Sequence, residues 1–107
     1  MKNKVIFVDI DETICFFPDS DQNTKAGGRK YEKAVPDYEN IMKINELYDK
    51  GNKIIYWTAR GSRTGLDWRD LTEKQLKEWG AKHHQLRLDK PYYDVFIEDK
   101  SKRIEEI

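Results

Sequence analysis

The sequence has little of several things, and each shortage excludes a class of protein. Cys15 is the single cysteine of 107 residues, so no disulfide forms within the chain and a reducing cytoplasm fits. Twenty basic and twenty acidic residues cancel, so no overall positive charge attracts nucleic acid or an anionic membrane. No apolar run approaches the ~20 residues of a membrane span. The apolar run after Lys4 stops at Asp9, and we therefore expect no signal peptide.

The chain has the size of one compact domain and enough aromatic residues for a packed core. Its 107 residues and 12.8 kDa match a single domain, residues 1–107. Three Trp, six Tyr and four Phe argue against disorder, although 37% of the residues are charged. We therefore expect one folded domain with a single core.

A short apolar run followed by two aspartates is the most informative stretch. Val5–Val8 is typical of a strand that is buried on both faces of a parallel sheet. Residues two apart in an extended chain point the same way, so Asp9 and Asp11 would project together from the end of this strand. Two such carboxylates repel unless a cation or a shared proton lies between them. The pair predicts a metal site or a shared proton, with an acidic turn as the simpler alternative.

Two further apolar runs end in polar residues in the same way. Residues 54–57 run into Thr58, and residues 95–97 run into Glu98 and Asp99. The carboxyl ends of parallel strands meet at one edge of a sheet. The sequence therefore predicts that the polar residues after all three strands form one site.

Helical patterns separate the apolar runs. Apolar residues recur at helical spacing between Pro36 and Gly51, and again from about Asp67 to Trp79. Residues 84–88 are a weaker fourth strand candidate. The order strand, helix, strand, helix, strand predicts an α/β fold with a parallel sheet.

Residues 14–36 fit none of these elements. They include Pro18, Gly27, Gly28 and several charges. A loop this long in a small domain is usually functional or disordered. Its position directly after the two aspartates favours a functional loop.

Four short motifs, in this order along nearly the whole chain, resemble those of the haloacid dehalogenase (HAD) superfamily of phosphohydrolases. They are Asp9-Ile-Asp11-Glu-Thr13, then Thr58, then Lys90, and finally Glu98-Asp99. Three other stretches look like those of small capsule-biosynthesis phosphatases within that superfamily: Trp57-Thr-Ala-Arg-Gly61, Gly65-Leu-Asp-Trp68 and Asp89-Lys-Pro-Tyr-Tyr-Asp94. The resemblance implies a three-layer Rossmann-like sheet with helices on both faces and a minimal cap.

The resemblance also implies an activity. It would be Mg²⁺-dependent hydrolysis of a phosphomonoester, on a small phosphorylated sugar or polyol of surface polysaccharide biosynthesis. Asp9 would attack phosphorus to give an aspartyl phosphate, and Asp11 would serve as general acid and then as general base. Thr58 and the N–H of Ala59 would hold phosphoryl oxygens, and Lys90 would neutralise charge on the nucleophile and the phosphate.

The implied metal site contains only oxygen ligands. Mg²⁺ would be bound by the carboxylates of Asp9 and Asp99 and the backbone carbonyl of Asp11, with Glu98 and Thr13 supporting the site from behind. Mg²⁺ suits such a site, because it binds through few carboxylates plus substrate phosphate and water. A solvated turn is the simpler interpretation of Glu98 and Asp99.

Several other polar residues have two interpretations. Arg60 is assigned to substrate binding, with a plain surface charge as the alternative, and Arg63 and Arg87 are weaker candidates of the same kind. His83 and His84 are adjacent, but no third ligand nearby completes a transition-metal site. We expect surface or packing roles for both histidines.

The missing cap domain bears on the quaternary structure. Large relatives cover the site with a separate domain, whereas residues 14–36 would form only a small flap. We therefore expect a homo-oligomer, or a substrate that itself closes the site, since excluding water favours phosphoryl transfer. The expected partner is a small phosphorylated metabolite, with no nucleic acid and no membrane.

Two other functions remain open from the sequence, which does not identify the substrate. One is a phosphatase acting on nucleotides or on nucleic-acid ends. The other is a receiver-like signalling domain, which also clusters Asp, Thr and Lys on a parallel sheet. The phosphorylated aspartate of a receiver lies on a middle strand, whereas Tyr56-Trp57-Thr58 offers no carboxylate there.

Overall fold

The computed structural model describes residues 1–18 and 30–107. The predicted flap over residues 14–36 therefore lies partly outside the described residues. The strands are β1 (Val5–Val8), β2 (Cys15–Phe16), β3 (Val35–Pro36), β4 (Lys53–Trp57) and β5 (Gln85–Arg87), and the helices are α1 (Tyr38–Asp49) and α2 (Arg69–Glu78). Short 3-10 helices cover Tyr31–Lys33 and Ile104–Glu106.

Three parallel strands form the main sheet in the order β1–β4–β5. Val8 pairs with Tyr56, which pairs in turn with Leu86, so the three strands are in lateral register. The predicted strands at β1 and β4 are confirmed, and the weaker candidate at 84–88 is confirmed as β5. All three carboxyl ends lie at one edge of the sheet, where α/β folds place their sites.

A second sheet, of two strands, joins the two ends of the predicted flap over residues 14–36. β2 and β3 are antiparallel, with Cys15 opposite Pro36 and Phe16 opposite Val35. The backbone N–H of Asp37 donates to the carbonyl of Ile14 at 2.8 Å. The chain therefore returns beside its starting point before α1 begins.

Both predicted helices are confirmed to within about two residues. The side chain of Asp37 caps α1 by accepting the Asn40 N–H at 3.0 Å, as a good N-cap residue does. Gly51 and Gly80 follow the two helices with φ of +98° and +69°, a conformation in which glycine is favoured.

The buried side chains of both helices belong to one core. They join buried side chains of the strands and of the Ile10–Phe17 region in a single cluster: Val8, Ile10, Ile14, Cys15, Phe17, Ile41, Ile44, Leu47, Ile54, Tyr56, Leu76, Trp79 and Ala81. The prediction that β1 is buried on both faces is wrong, because its alternate residues Val5 and Phe7 remain 63% and 45% exposed. The expected layer of helices on both faces is therefore not confirmed by the described residues.

The strand predicted over residues 95–97 is wrong. Val95 and Ile97 are 73% and 92% exposed, and residues 88–103 contain no helix or strand. The apolar run has strand-like composition, yet it pairs with none of the described strands. Within the described ranges, neither helix is long and apolar enough to cross a membrane.

Candidate functional site

Asp9 and Lys90 meet at the carboxyl edge of the sheet. Asp9 follows β1 directly, and its Oδ1 lies 3.6 Å from Nζ of Lys90. The side chain of Lys90 is only 12% exposed, and its Nζ lies 5.6 and 5.4 Å from the ring centroids of Trp57 and Tyr93. The predicted juxtaposition of the two residues is therefore present, with the ammonium group between aromatic rings and a carboxylate.

The electrostatic environment of Asp9 is mixed. Burial raises the pKa of Asp9 above its usual value, and repulsion by Asp11 acts in the same direction. The charge of Lys90 and the backbone N–H of Ile10 oppose this rise in pKa. The side chain nevertheless remains 41% exposed, so a small molecule can reach the carboxylate from solvent.

A tight turn after β4 holds the second strand end. The Thr58 hydroxyl accepts the backbone N–H of Arg60 at 3.1 Å, and Ser62 N–H donates to the carbonyl of Ala59 at 2.9 Å. Thr58 is buried, and its backbone carbonyl accepts the N–H of Lys90 at 3.3 Å. The turn therefore fixes the position of Lys90 as well as its own.

Arg60 has a different place from the one predicted for it. Its side chain is fully buried rather than facing a substrate, and it binds the carboxylate of Asp11. Nη2 donates to Asp11 Oδ1 at 2.8 Å, and Nε lies 3.1 Å from Oδ2 and 3.3 Å from Oδ1. The assignment of Arg60 to substrate binding is therefore corrected to a contact with the second aspartate.

Three further residues hold the Arg60 guanidinium in place. Nη1 donates to Gln75 Oε1 at 2.6 Å and to Thr72 Oγ1 at 3.1 Å, both on α2. The ring of Tyr31 lies 4.7 Å from the guanidinium carbon, and the Tyr31 carbonyl accepts from Gln75 at 2.8 Å. Nothing in the sequence marks Thr72 and Gln75, because polar residues on a helix are usually exposed.

Cys15 packs against the same carboxylate. Its Sγ lies 3.5 Å from Asp11 Oδ1, and the residue is fully buried. Burial raises the pKa of the thiol, and the charge of Asp11 raises it further. Cys15 therefore has a packing role, since a protonated buried thiol is a poor nucleophile.

The remaining predicted site residues make other contacts or are exposed. Glu98 is exposed, and its carboxylate accepts the backbone N–H of Lys100 at 2.8 Å, which matches the simpler interpretation of a solvated turn. Asp99 is exposed in the same segment. Thr13 lies in the turn after β1, where its carbonyl accepts from the Asn40 side chain at 2.9 Å. Across residues 1–18 and 30–107, no three acidic, His or Cys side chains are grouped to hold a metal.

The other candidates make local contacts. His84 Nδ1 accepts the Ile54 N–H at 3.0 Å and its ring stacks on Tyr48, while His83 contacts the ring of Tyr56 edge-on. Arg87 pairs with Asp89 at the surface, at 2.7 Å. The expectation of packing roles for the two histidines is confirmed.

The fold and this edge of the sheet define a class: an α/β protein whose parallel strands end in a cluster of carboxylates, a lysine and a buried arginine. The crystal structure of an MCSG target from Vibrio cholerae has the same fold, with a TM-score of 0.78 over 96% of this chain and 85% of that chain. The two sequences are 22% identical, so the likeness establishes the fold alone. No protein-family model matches the sequence, and no curated protein matches it.

Proposed function

We propose that the chain is a Mg²⁺-dependent phosphomonoester hydrolase of the HAD type, which works through an aspartyl phosphate on Asp9. The observation that carries the proposal is the carboxylate of Asp9, which follows β1, lies 3.6 Å from Nζ of Lys90 and precedes Asp11 by two residues. An accessible carboxylate paired with a cation can attack phosphorus while the cation offsets the charge of the phosphoryl group. The finer three-layer arrangement of the superfamily is part of this proposal.

Each step of the proposed hydrolysis can be assigned to a residue of this chain. The Asp9 carboxylate attacks phosphorus, the bond from phosphorus to the ester oxygen breaks, and Asp11 gives its proton to the departing alkoxide. Water next attacks the aspartyl phosphate, Asp9 leaves as carboxylate, and Asp11 takes the proton of the water. Such proton transfers typically contribute about 10²–10⁴-fold.

The phosphoryl oxygens need donors around them. The N–H of Ala59 makes no hydrogen bond with a described residue, and the Thr58 hydroxyl accepts a bond while its own proton stays available. Lys90 supplies the positive charge on the side of Asp9. In phosphoryl transfer, such positioning and charge stabilisation account for most of the catalysis.

Two of the three implied ligands, Asp9 and Asp11, fit Mg²⁺ in their chemistry. Mg²⁺ usually binds through one or two carboxylates, completed by substrate phosphate and water. The carboxylate of Asp9 and the backbone carbonyl of Asp11 offer such oxygens. Asp99, the third ligand that the resemblance implies, is exposed and forms no metal-binding group with them among the described residues. Mg²⁺ held by these two oxygens would supply positive charge to the transferring phosphoryl group.

The proposed substrate is a small phosphorylated sugar or polyol of a cytoplasmic capsule or polysaccharide pathway. A nucleotide or a nucleic-acid end is the second candidate, and one observation favours it. Trp57 and Tyr93 flank Lys90, and the neighbouring Tyr92 lies beneath Arg63, so aromatic rings lie beside the proposed catalytic lysine. Aromatic rings stack on bases and also on the apolar faces of sugars.

Phosphate release from p-nitrophenyl phosphate in the presence of Mg²⁺ tests the proposal. Wild type is expected to turn over steadily, excess EDTA to stop the reaction, and added Mg²⁺ to restore it. Asp9→Asn removes the nucleophile with little change in shape, so it should lose essentially all turnover while its circular dichroism stays that of wild type.

Asp49→Asn is the matched control, because Asp49 lies at the end of α1 in a surface pair with Lys82. It should leave turnover unchanged. Hydrolysis by Asp9→Asn at the wild-type rate contradicts the assignment of the nucleophile. A single phosphorylation with no turnover would instead support the receiver-like alternative, and a panel of sugar phosphates and nucleotides separates the two substrate classes.

A further inference from the structure

The proton-transfer residue of the proposed reaction does not stand alone. Asp11 is bound through both carboxylate oxygens by Arg60, whose side chain is fully buried. A guanidinium that binds a carboxylate at two points fixes the plane of that carboxylate as well as its distance. Few surface pairs have this constraint, because exposed side chains exchange partners with water.

The guanidinium is itself held from the other side. Gln75 and Thr72 of α2 accept from Nη1, and Tyr31 covers the face of the group. Burying an arginine is costly unless its donors are satisfied, and here neutral acceptors satisfy the side that points away from Asp11. The arrangement therefore directs one cation at one carboxylate and holds it there.

We propose that Arg60 is a positioning residue for Asp11: its two-point contact orients this carboxyl group toward the leaving oxygen. The inference rests on the proposed function and deepens it. In the first step the proton passes from Asp11 to the ester oxygen as the phosphorus–oxygen bond breaks, so Asp11 becomes negative beside the fixed guanidinium. The transfer requires the carboxyl oxygen to be aligned with the ester oxygen, and the two-point contact fixes the orientation on which this alignment depends.

Two aryl esters of similar shape isolate this step. p-Nitrophenolate leaves without a proton, whereas phenolate, a much stronger base, leaves far better when it is protonated. For both esters kcat/KM reports the steps up to release of the phenol, so hydrolysis of the aspartyl phosphate does not affect it. The ratio of the two kcat/KM values therefore measures proton donation by Asp11.

Arg60→Met should lower kcat/KM for phenyl phosphate at least about tenfold more than for p-nitrophenyl phosphate, which is a modest part of the usual effect of a general acid. Arg60→Lys keeps the charge without the two-point contact and should fall between wild type and Arg60→Met. Arg69→Gln removes an exposed arginine of α2 that pairs with Glu73, and it should leave the ratio unchanged.

A purely structural role for Arg60 predicts a different result. Loss of folded enzyme lowers both kcat/KM values by the same factor and leaves the ratio at the wild-type value, which would overturn the proposal. If Arg60→Met does not fold, Gln75→Met removes one acceptor of Arg60 and should shift the ratio in the same direction by a smaller factor. An unchanged ratio in Gln75→Met and Arg60→Lys together also overturns it. Wild type inactive on both esters would contradict the phosphatase function itself.

Discussion

Substitution of Lys90 is the most direct test of the electrostatics of the candidate site. Its ammonium group lies 3.6 Å from Asp9 and has little contact with solvent. Lys90→Met keeps the length of the side chain and removes its charge. We expect kcat to fall about 10²–10³-fold, the usual cost of removing a group aimed at developing charge.

A surface lysine gives the comparison that the Lys90 experiment needs. Lys82 pairs with Asp49 at 2.9 Å, with half of its side chain exposed. Lys82→Met should leave kcat unchanged, because exposed ion pairs contribute little. Equal loss of activity in both variants, measured as steady-state phosphate release, would show that the charge of Lys90 has no special role.

Gly61 is a second residue whose substitution has a clear physical cost. Its φ of +85° is strained for other residues, and an added Cβ would overlap the backbone carbonyl of Leu66. Gly61→Ala should therefore lower the free energy of unfolding by about 1–3 kcal/mol more than a Gly→Ala substitution at a position of positive φ where the added Cβ meets no other atom.

Gly65 supplies that matched substitution. Its φ is +77°, and a Cβ there meets nothing within 4 Å. Gly65→Ala should cost about 1–2 kcal/mol, from the left-handed backbone alone. Urea denaturation of the two variants measures the difference, and equal midpoints would show that the turn adjusts without cost.

The residues of the candidate site differ in how far the sequence predicts their placement. Asp9 and Lys90 follow strands or sit near strand ends, and the sheet geometry that brings them together is general. The contact of Arg60 with Asp11 was not predictable in the same way, because arginine is almost always exposed unless it is paired. Thr72 and Gln75, which accept hydrogen bonds from Arg60, lie on α2. Which polar residues of a helix face the protein interior depends on tertiary packing.

Among the elements, α1 and the segment after α2 are joined by one buried side chain. Asn45 donates from Nδ2 to the carbonyl of Gly80 at 2.9 Å and accepts the N–H of Lys82 at 2.8 Å. Asn45→Ala leaves both backbone groups without this partner. We expect the free energy of unfolding to fall by roughly 2–4 kcal/mol, given about 1–3 kcal/mol for each buried polar group left unpaired.

Two variants on the same helix sharpen the Asn45 measurement. Asn45→Asp keeps the acceptor for Lys82 and loses the donor to Gly80, so its stability should be intermediate. Glu46→Ala changes an exposed neighbour and should stay within about 0.5 kcal/mol of wild type. A cost for Asn45→Ala no larger than that of Glu46→Ala, in urea unfolding, would contradict the bridging role.

The elements were predictable where a local pattern and a nonlocal partner agree. β1 and β4 are short apolar runs and both helices have helical periodicity, and each element contributes buried side chains to the same core. Residues 95–97 have the apolar composition of a strand but pair with none of the described strands. A sequence pattern reports composition and spacing, whereas strand pairing depends on distant residues, so the exposed run was not distinguishable from a buried strand.

At the scale of the whole molecule, the segment that includes the wrongly predicted strand over residues 95–97 exposes apolar surface. Within residues 92–97, five large apolar or aromatic side chains are 38–92% exposed: Tyr92, Tyr93, Val95, Phe96 and Ile97. An apolar run of this kind on a soluble monomer is unusual and typically marks an interface. The ring of Tyr93 also lies 5.4 Å from Lys90, so a partner on this segment would border the proposed site.

We therefore predict that the chain self-associates through residues 92–97 and that the second copy helps to exclude water from Asp9. Light scattering of wild type at tens of micromolar should give at least twice the 12.8 kDa of one chain. Val95→Lys with Ile97→Lys should give the monomer mass, because charge on an apolar contact opposes burial. Leu66→Lys, at an exposed leucine of another loop, should leave the assembly intact. Turnover per chain should fall on dilution in parallel with the loss of mass, and a wild type that stays monomeric at every concentration would exclude this means of covering the site.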